Sequence, residues 1–170
     1  MTLGMSLSAF TLLHTAISLV GIASGFVAVV GMLRGNPLNG WTTVFLVSTA
    51  LTSVTGFMFP ATKILPSHVF GVISILGLAV VFVALYVKHL AGAWRRVYVI
   101  GALFVLYLNT VVGVVQSFQK LAFLTPLAPT QSEPPFLIAQ AAILVVFIVA
   151  GILVSKRFRP STSSGRTVVS

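Results

Sequence analysis

Five apolar runs, separated by short clusters of turn-forming residues, set the pattern of this chain. The first extends from about Ser8 to Leu33 and stops at RGNPLNG. The second covers about 41–60 and ends at a proline, and the third starts after Pro66 and covers about 67–90. The fourth covers about 96–120, and the fifth opens on Pro134–Pro135 and runs to about 155. A helix needs about 20 largely apolar residues to cross a bilayer, whereas a barrel strand crosses with about 10. Runs of this length predict an all-α integral membrane bundle of five transmembrane helices. They form one domain over residues 1–159, followed by a small, polar tail, 160–170, expected to be a disordered cytoplasmic extension. MTLGMSLSAF lacks a basic leader, and the apolar run after it is longer than a signal peptide's, so the first helix is expected to be retained.

Within the runs, small and polar residues recur at helical spacing. His14, Ser18, Gly21, Gly25 and Ala28 form one stripe on the first run. Ser48, Thr52 and Thr55 share a face of the second, beside Ser53 and Gly56. Ser67, Gly71 and Ser74 mark the third, and Asn109, Gly113, Gln116 and Lys120 the fourth. In lipid, helices associate through close backbone approach and polar contact. Ser18, Gly21, Gly25, Gly71 and Gly113 are therefore read as helix-packing positions. Asn109 and Gln116 are expected to face protein, because unmet hydrogen bonds in hydrocarbon are costly.

Composition agrees with a lipid solvent. The chain is 58% hydrophobic and 6% charged, with a mean hydropathy of +1.12, against roughly a quarter charged residues in soluble domains. The formal net charge of +9 would suggest nucleic acid in a soluble chain. Here the basic residues lie between and after the apolar runs and set orientation instead. Arg34, Lys88, Arg95, Arg96, Lys156, Arg157, Arg159 and Arg166 fall on one side, and only Lys63 and Lys120 on the other. The richer side is expected in the cytoplasm, which leaves the N-terminus outside and the C-terminus inside. Trp41, Tyr86, Trp94 and Tyr98 fall at the expected inner interface, where amphipathic rings gather. With no cysteine in the chain, thiolate chemistry is excluded.

That orientation gathers the candidate chemistry at the outer end. His14, His68, Glu133, Gln116, Gln140 and, deeper, Asn109 form a candidate ligand or cofactor cluster. Glu133 is the one acidic residue of the chain. Its plain reading is a helix start, with Ser132 as N-cap, prolines in the first turn and Glu133 complementing the dipole. No catalytic residue is identified: the chain has no carboxylate pair for glycoside chemistry, no serine elbow and no P-loop. The favoured reading is a non-enzymatic membrane component that binds a partner or ligand at its outer face. A membrane or periplasmic protein docking on the loop at 121–133 is one such partner, since long loops usually carry function. The first alternative is a small redox module, with His14 and His68 holding haem b or supporting a quinone. The second is a small-solute transporter with Asn109 at mid-membrane. A metal ion on His14, His68 and Glu133 is possible only in principle.

At TGFMFP (55–60), LPSH (65–68) and LAPTQSEPPF (127–136) the chain resembles small multi-span bacterial inner-membrane proteins with no established activity. It is loosely similar as well to small multi-span families proposed to be haem-linked. The resemblance implies a bacterial inner-membrane setting, and carries no residue role with it.

Overall fold

The computed structural model describes residues 4–35, 39–59 and 66–158, and is helical in all its long elements. Helix α1 spans Leu7–Leu33, α2 Asn39–Phe57, α3 Pro66–Phe82, α4 Trp94–Lys120 and α5 Pro134–Arg157. A π turn, Val83–Val87, continues α3, and a 3-10 turn, Thr125–Leu127, lies between α4 and α5. Lys63, Arg159, Arg166 and the tail 160–170 lie outside the described residues.

Local chemistry explains the ends. The Ser6 hydroxyl accepts the Ala9 N–H at 3.2 Å and caps α1. At its other end Gly35 takes a positive φ of 72° that suits glycine, and its N–H bonds the Met32 carbonyl. The third span stops earlier than the expected boundary near 90. His89 and Leu90 adopt φ of 47° and 58°, a left-handed conformation that an α-helix cannot continue through.

Among the described residues four segments are long and apolar enough to cross a membrane: α1, the third segment from His68 to Val87, α4 and α5. Helix α2 is not among them. It is 19 residues long and spends much of its length on threonine and serine.

Helices α1 and α2 form an antiparallel pair. Phe10 meets Phe59 at 4.9 Å between ring centroids, His14 meets Thr55, and Gly25 lies against Phe45. Helix α4 is central, touching α1, α3 and α5. Glycines permit the close approaches. A methyl on Gly25 would come within 2.5 Å of Leu106 Cδ1 and 2.9 Å of Phe45 Cδ2. Gly77 against Val105 and Gly101 against Val81 close the α3–α4 contact in the same way. Neither of those two glycines stood out in the sequence.

The bundle buries small polar residues beside its apolar core and leaves large apolar residues outside. Ser24, Thr42, Thr49, Ser53, Ser74 and Asn109 are buried, while Leu12, Leu76, Ile100 and Ile138 are each more than 60% exposed. In water this arrangement would forfeit the hydrophobic driving force. Lipid reverses the preference, because bare Leu and Ile meet acyl chains and polar groups pair within the bundle.

Helix α5 is peripheral and is tied to α4 at both ends. Phe136 packs edge-on to Phe118 at 5.4 Å near its start. Near its finish the Arg95 guanidinium donates to the Phe158 carbonyl, and the Phe158 ring is fully buried at 6.1 Å from the Tyr98 ring. Trp41 and Tyr86 are exposed as interface rings should be. Tyr98 departs from that expectation: it is buried, with its hydroxyl bonded to Thr42.

Candidate functional site

A cavity of about 70 Å³, lined by polar side chains together with Phe70, Leu108 and Val112, lies between α1, α2, α3 and α4. Helix α1 contributes His14, α2 contributes Thr49, Thr52, Ser53 and Gly56, and α3 contributes Gly71 and Ser74. Asn109 of α4 completes the polar lining. With a rise of 1.5 Å per residue, His14 lies about 10 Å into α1 and Asn109 about 16 Å from the Lys120 end of α4. The cavity therefore reaches from one end of the bundle to near its middle.

Hydroxyls inside helices usually bond the carbonyl one turn back. Ser18, Ser24, Ser53, Thr55, Thr110 and Ser117 all do so, at 2.6–2.9 Å. Thr49 and Thr52 do not. Their Oγ1 atoms and the Asn109 Nδ2 are buried without a hydrogen-bond partner. All three residues line this cavity. A methyl on Gly21 would stand 3.3 Å from both Thr49 Oγ1 and Asn109 Nδ2, so the missing side chain there lets α1 pack closely on α2 and α4 beside these groups. An unsatisfied buried polar group costs about 1–3 kcal/mol. Three of them cost about 3–9 kcal/mol, comparable to the whole stability of a typical domain. These three buried groups are therefore an expensive feature of the packing.

His14 is held in a defined state. Its Nδ1 lies 2.7 Å from Thr55 Oγ1, and Thr55 Oγ1 lies 2.7 Å from the Leu51 carbonyl. Two oxygens at that separation need a proton between them. The single Thr55 hydroxyl proton goes to Leu51, so His14 Nδ1–H donates to Thr55. In neutral His14 the other ring nitrogen, Nε2, is then an acceptor. The Phe59 ring, edge-on at 5.1 Å, backs the imidazole.

Of the candidate residues, the fold brings His14 and Asn109 to one cavity and sends the others elsewhere. His68 stacks on Phe57 at 5.8 Å between ring centroids. Gln140 Nε2 reaches the Val111 carbonyl at 3.5 Å, and Gln116 is half-buried on α4 outside the cavity. Gly71 lines the cavity under Phe57, Gly21 packs against Thr49 and Asn109, and Gly113 lies against Ile22. Thr49, the most deeply buried of the unpartnered residues, carried no signal beyond being one threonine among several.

Glu133 stands at the α5 N-cap itself, where Ser132 had been expected, and its side chain makes no capping bond. It folds back on the preceding loop. Oε1 accepts from the Thr130 N–H at 3.1 Å and the Thr130 hydroxyl at 2.8 Å, and Oε2 accepts from the Ser132 N–H at 3.1 Å. Desolvation opposes ionisation, but the Thr130 hydroxyl and the backbone donors of Thr130, Glu133 and Ser132 outweigh it and hold the carboxyl below its ordinary value.

Among the described residues no group of three His, Asp or Glu is placed to hold a metal ion. A haem macrocycle does not fit a cavity of about 70 Å³, and the two candidate axial rings are engaged with Thr55 and Phe57.

Comparison with protein-family models, with curated proteins and with solved structures finds no match to this chain.

Proposed function

We propose that this is a five-span protein of the bacterial inner membrane, with the start of α1 outside, that carries out no covalent chemistry and takes up a small polar ligand in the outer half of its bundle. The observation that carries the reading is the cavity, whose lining includes Thr49, Thr52 and Asn109, each with a buried polar atom that has no hydrogen-bond partner. Ionisable and polar groups inside a membrane usually mark function.

Several features support the rest. The α1–α2 register runs from Phe10 beside Phe59 to Gly25 beside Phe45, so α2 accompanies α1 through most of its length. Thr49, Thr52 and Ser53 line the cavity, Thr55 bonds His14 of α1 and Thr42 bonds Tyr98 of α4, which is how a span of modest hydropathy is accommodated. Toward the cytoplasmic end, the buried Phe45, Val105 and Leu106 pack below Asn109. That plug favours a closed binding site over a continuous solute path. An outer partner on the loop remains the second reading, because Phe123 and Leu127 are exposed there.

The absence of cysteine makes thiol accessibility a clean test. A Ser53→Cys variant, in membranes of known sidedness, is treated with silver ion, which is close to water in size. Rapid modification from outside and slow modification from inside is the expected result. A lipid-facing Leu76→Cys variant gives the unreactive baseline. Ser53→Cys at that baseline from both sides would overturn access to the cavity from outside.

A further inference from the structure

We propose that a groove between α2 and the third segment holds one acyl chain of an anionic phospholipid, whose headgroup meets Lys88. The groove has a volume of about 360 Å³. Thr43, Val47 and Ala50 line it from α2, and Ala79, Phe82 and Tyr86 line it from the third segment. Leu46 and Leu78 also line it and pack against the core, which makes them its floor. Its form follows from how the two helices meet. Near the start of α3 the Phe57 ring closes on Gly71 and stacks on His68, drawing the helices together. Toward the other end the facing residues include only the small Ala50 and Ala79, and the groove opens. The π turn Val83–Val87 carries Tyr86 there, with its ring 4.8 Å from that of Phe82. Such turns are frequent at functional sites.

Section and depth select the occupant. At 1.5 Å per residue, Thr43 to Ala50 spans about 10 Å, so a groove of about 360 Å³ has a mean section of about 36 Å². A helix with its side chains is about 10–12 Å across, a section of about 80 Å² or more, and does not enter. A hydrocarbon chain, about 4 Å wide at carbon contact distance, does. The hydrocarbon half of one leaflet is about 15 Å deep, so the groove follows an acyl chain through most of its leaflet. Its lining carries no charge, and its hydroxyls, Thr43 and Tyr86, both lie at one end. That is the end where the ester groups of a lipid lie.

Charge selects the headgroup. Lys88 follows two residues after Tyr86, with its ammonium 5.6 Å over the Trp94 ring. Arg34 closes α1 and Arg96 lies in the first turn of α4, at this same end of the bundle. All three basic residues are exposed. The one carboxylate side chain, Glu133, opens α5 at the opposite end and is bound by Thr130 and Ser132. No acidic side chain therefore offsets this basic edge, and a lipid phosphate does. Basic pockets between spans on the cytoplasmic side bind such headgroups, and on the five-span topology this end is cytoplasmic.

Two measurements on the full-length protein, in nanodiscs of equal phosphatidylglycerol and phosphatidylcholine, test the proposal. A trace of phosphatidylglycerol with a mid-chain diazirine is expected to label residues 43–50 and 78–86 well above Val145 and Ile148, which are exposed on α5. Equal labelling of both faces, the mark of bulk lipid only, would overturn the groove as a site. So would a groove shielded from label in a protein that runs as a dimer, since a second copy then covers it. Native mass spectrometry is expected to show one retained lipid per chain, with phosphatidylglycerol favoured about fivefold, the effect of one basic residue near an anionic headgroup. Lys88→Gln should keep the lipid and lose the preference. Equal retention of both lipids by the unaltered protein, or a preference that survives Lys88→Gln, overturns the headgroup assignment. Ala79→Trp fills the groove from an exposed position and should lose the retained lipid, while Leu76→Trp, exposed outside the groove, should keep it. Retention in both variants overturns the proposal, and if Ala79→Trp does not fold, the labelling of the unaltered protein decides. Silver access to Ser53→Cys concerns the other cavity, so the two readings stand or fall separately.

Discussion

Thr49 and Thr55 are six residues apart on one helix, and a single bond separates a packing residue from a binding one. Thr55 returns its hydroxyl proton to Leu51 and offers its oxygen to His14; Thr49 leaves its hydroxyl buried without a partner. Glycine positions divide just as sharply. Gly25→Ala drives a methyl to 2.5 Å from Leu106 and 2.9 Å from Phe45, both in the core. It is expected to lower stability by about 1–3 kcal/mol, measured by unfolding in mixed detergent. Gly40→Ala meets nothing within 4 Å, and is expected to be neutral or to gain a few tenths of a kcal/mol through helix propensity. Glu133 makes a prediction about pH. Its carboxylate is bound by Thr130 and Ser132, so its folded value lies below the ordinary 4.5. Its contribution to loop order is complete above about pH 4.5 and is lost as pH falls through the lower, folded value. Amide protection at Thr130 and Ser132 should follow that course, and Glu133→Gln should abolish the dependence. Protection that is unchanged in Glu133→Gln would count against the role.

At the scale of elements, α5 shows how a peripheral helix is held. Most of its length carries Leu, Ile and Val to lipid, and its placement relies on Phe136 against Phe118 and on Phe158 with Arg95. Phe158→Ala is expected to cost about 3–5 kcal/mol and to free the end of α5, seen as faster exchange of the Lys156 and Arg157 amides. Phe123→Ala, on an exposed ring of the loop, should change neither. Helix α2 illustrates the opposite case. Its polar content keeps it out of the set of segments apolar enough to cross alone, yet Thr49, Thr52 and Ser53 line the cavity and Thr55 bonds His14 of α1. A helix judged by mean hydropathy is judged against lipid on all sides, and α2 has lipid on only some.

On the five-span proposal, crossing by α2 depends on the whole molecule and decides its topology. Reporters fused after Lys120 and after Ser170 should report opposite compartments. Reporters at 36 and at 62, before and after α2, should also differ. The same compartment for both members of either pair would remove the crossing on which that pair depends. The long helices and their approximate limits were legible in the chain because the hydropathy of consecutive residues, summed over a bilayer's thickness, is a local quantity. The end of the third span was less so, since the π turn and the left-handed His89 and Leu90 have no glycine or proline at those positions to announce them.

The candidate site divides in the same manner. From sequence alone, the polar groups could be assigned to helices and to ends of helices, and Asn109 and Gln116 singled out as costly in lipid; of these two only Asn109 lines the cavity. What sequence spacing does not encode is rotation of one helix against another. His68 and Gln140, equally conspicuous in the chain, are turned to Phe57 and Val111, while the inconspicuous Thr49 and Thr52 are turned inward beside Asn109. That choice rests on interhelical packing at Gly21, Gly25 and Gly71, where residues far apart in sequence meet within a few ångströms. Membrane residence and the number of helices therefore followed from the order of residues. Which polar groups share a cavity was decided only when the helices packed.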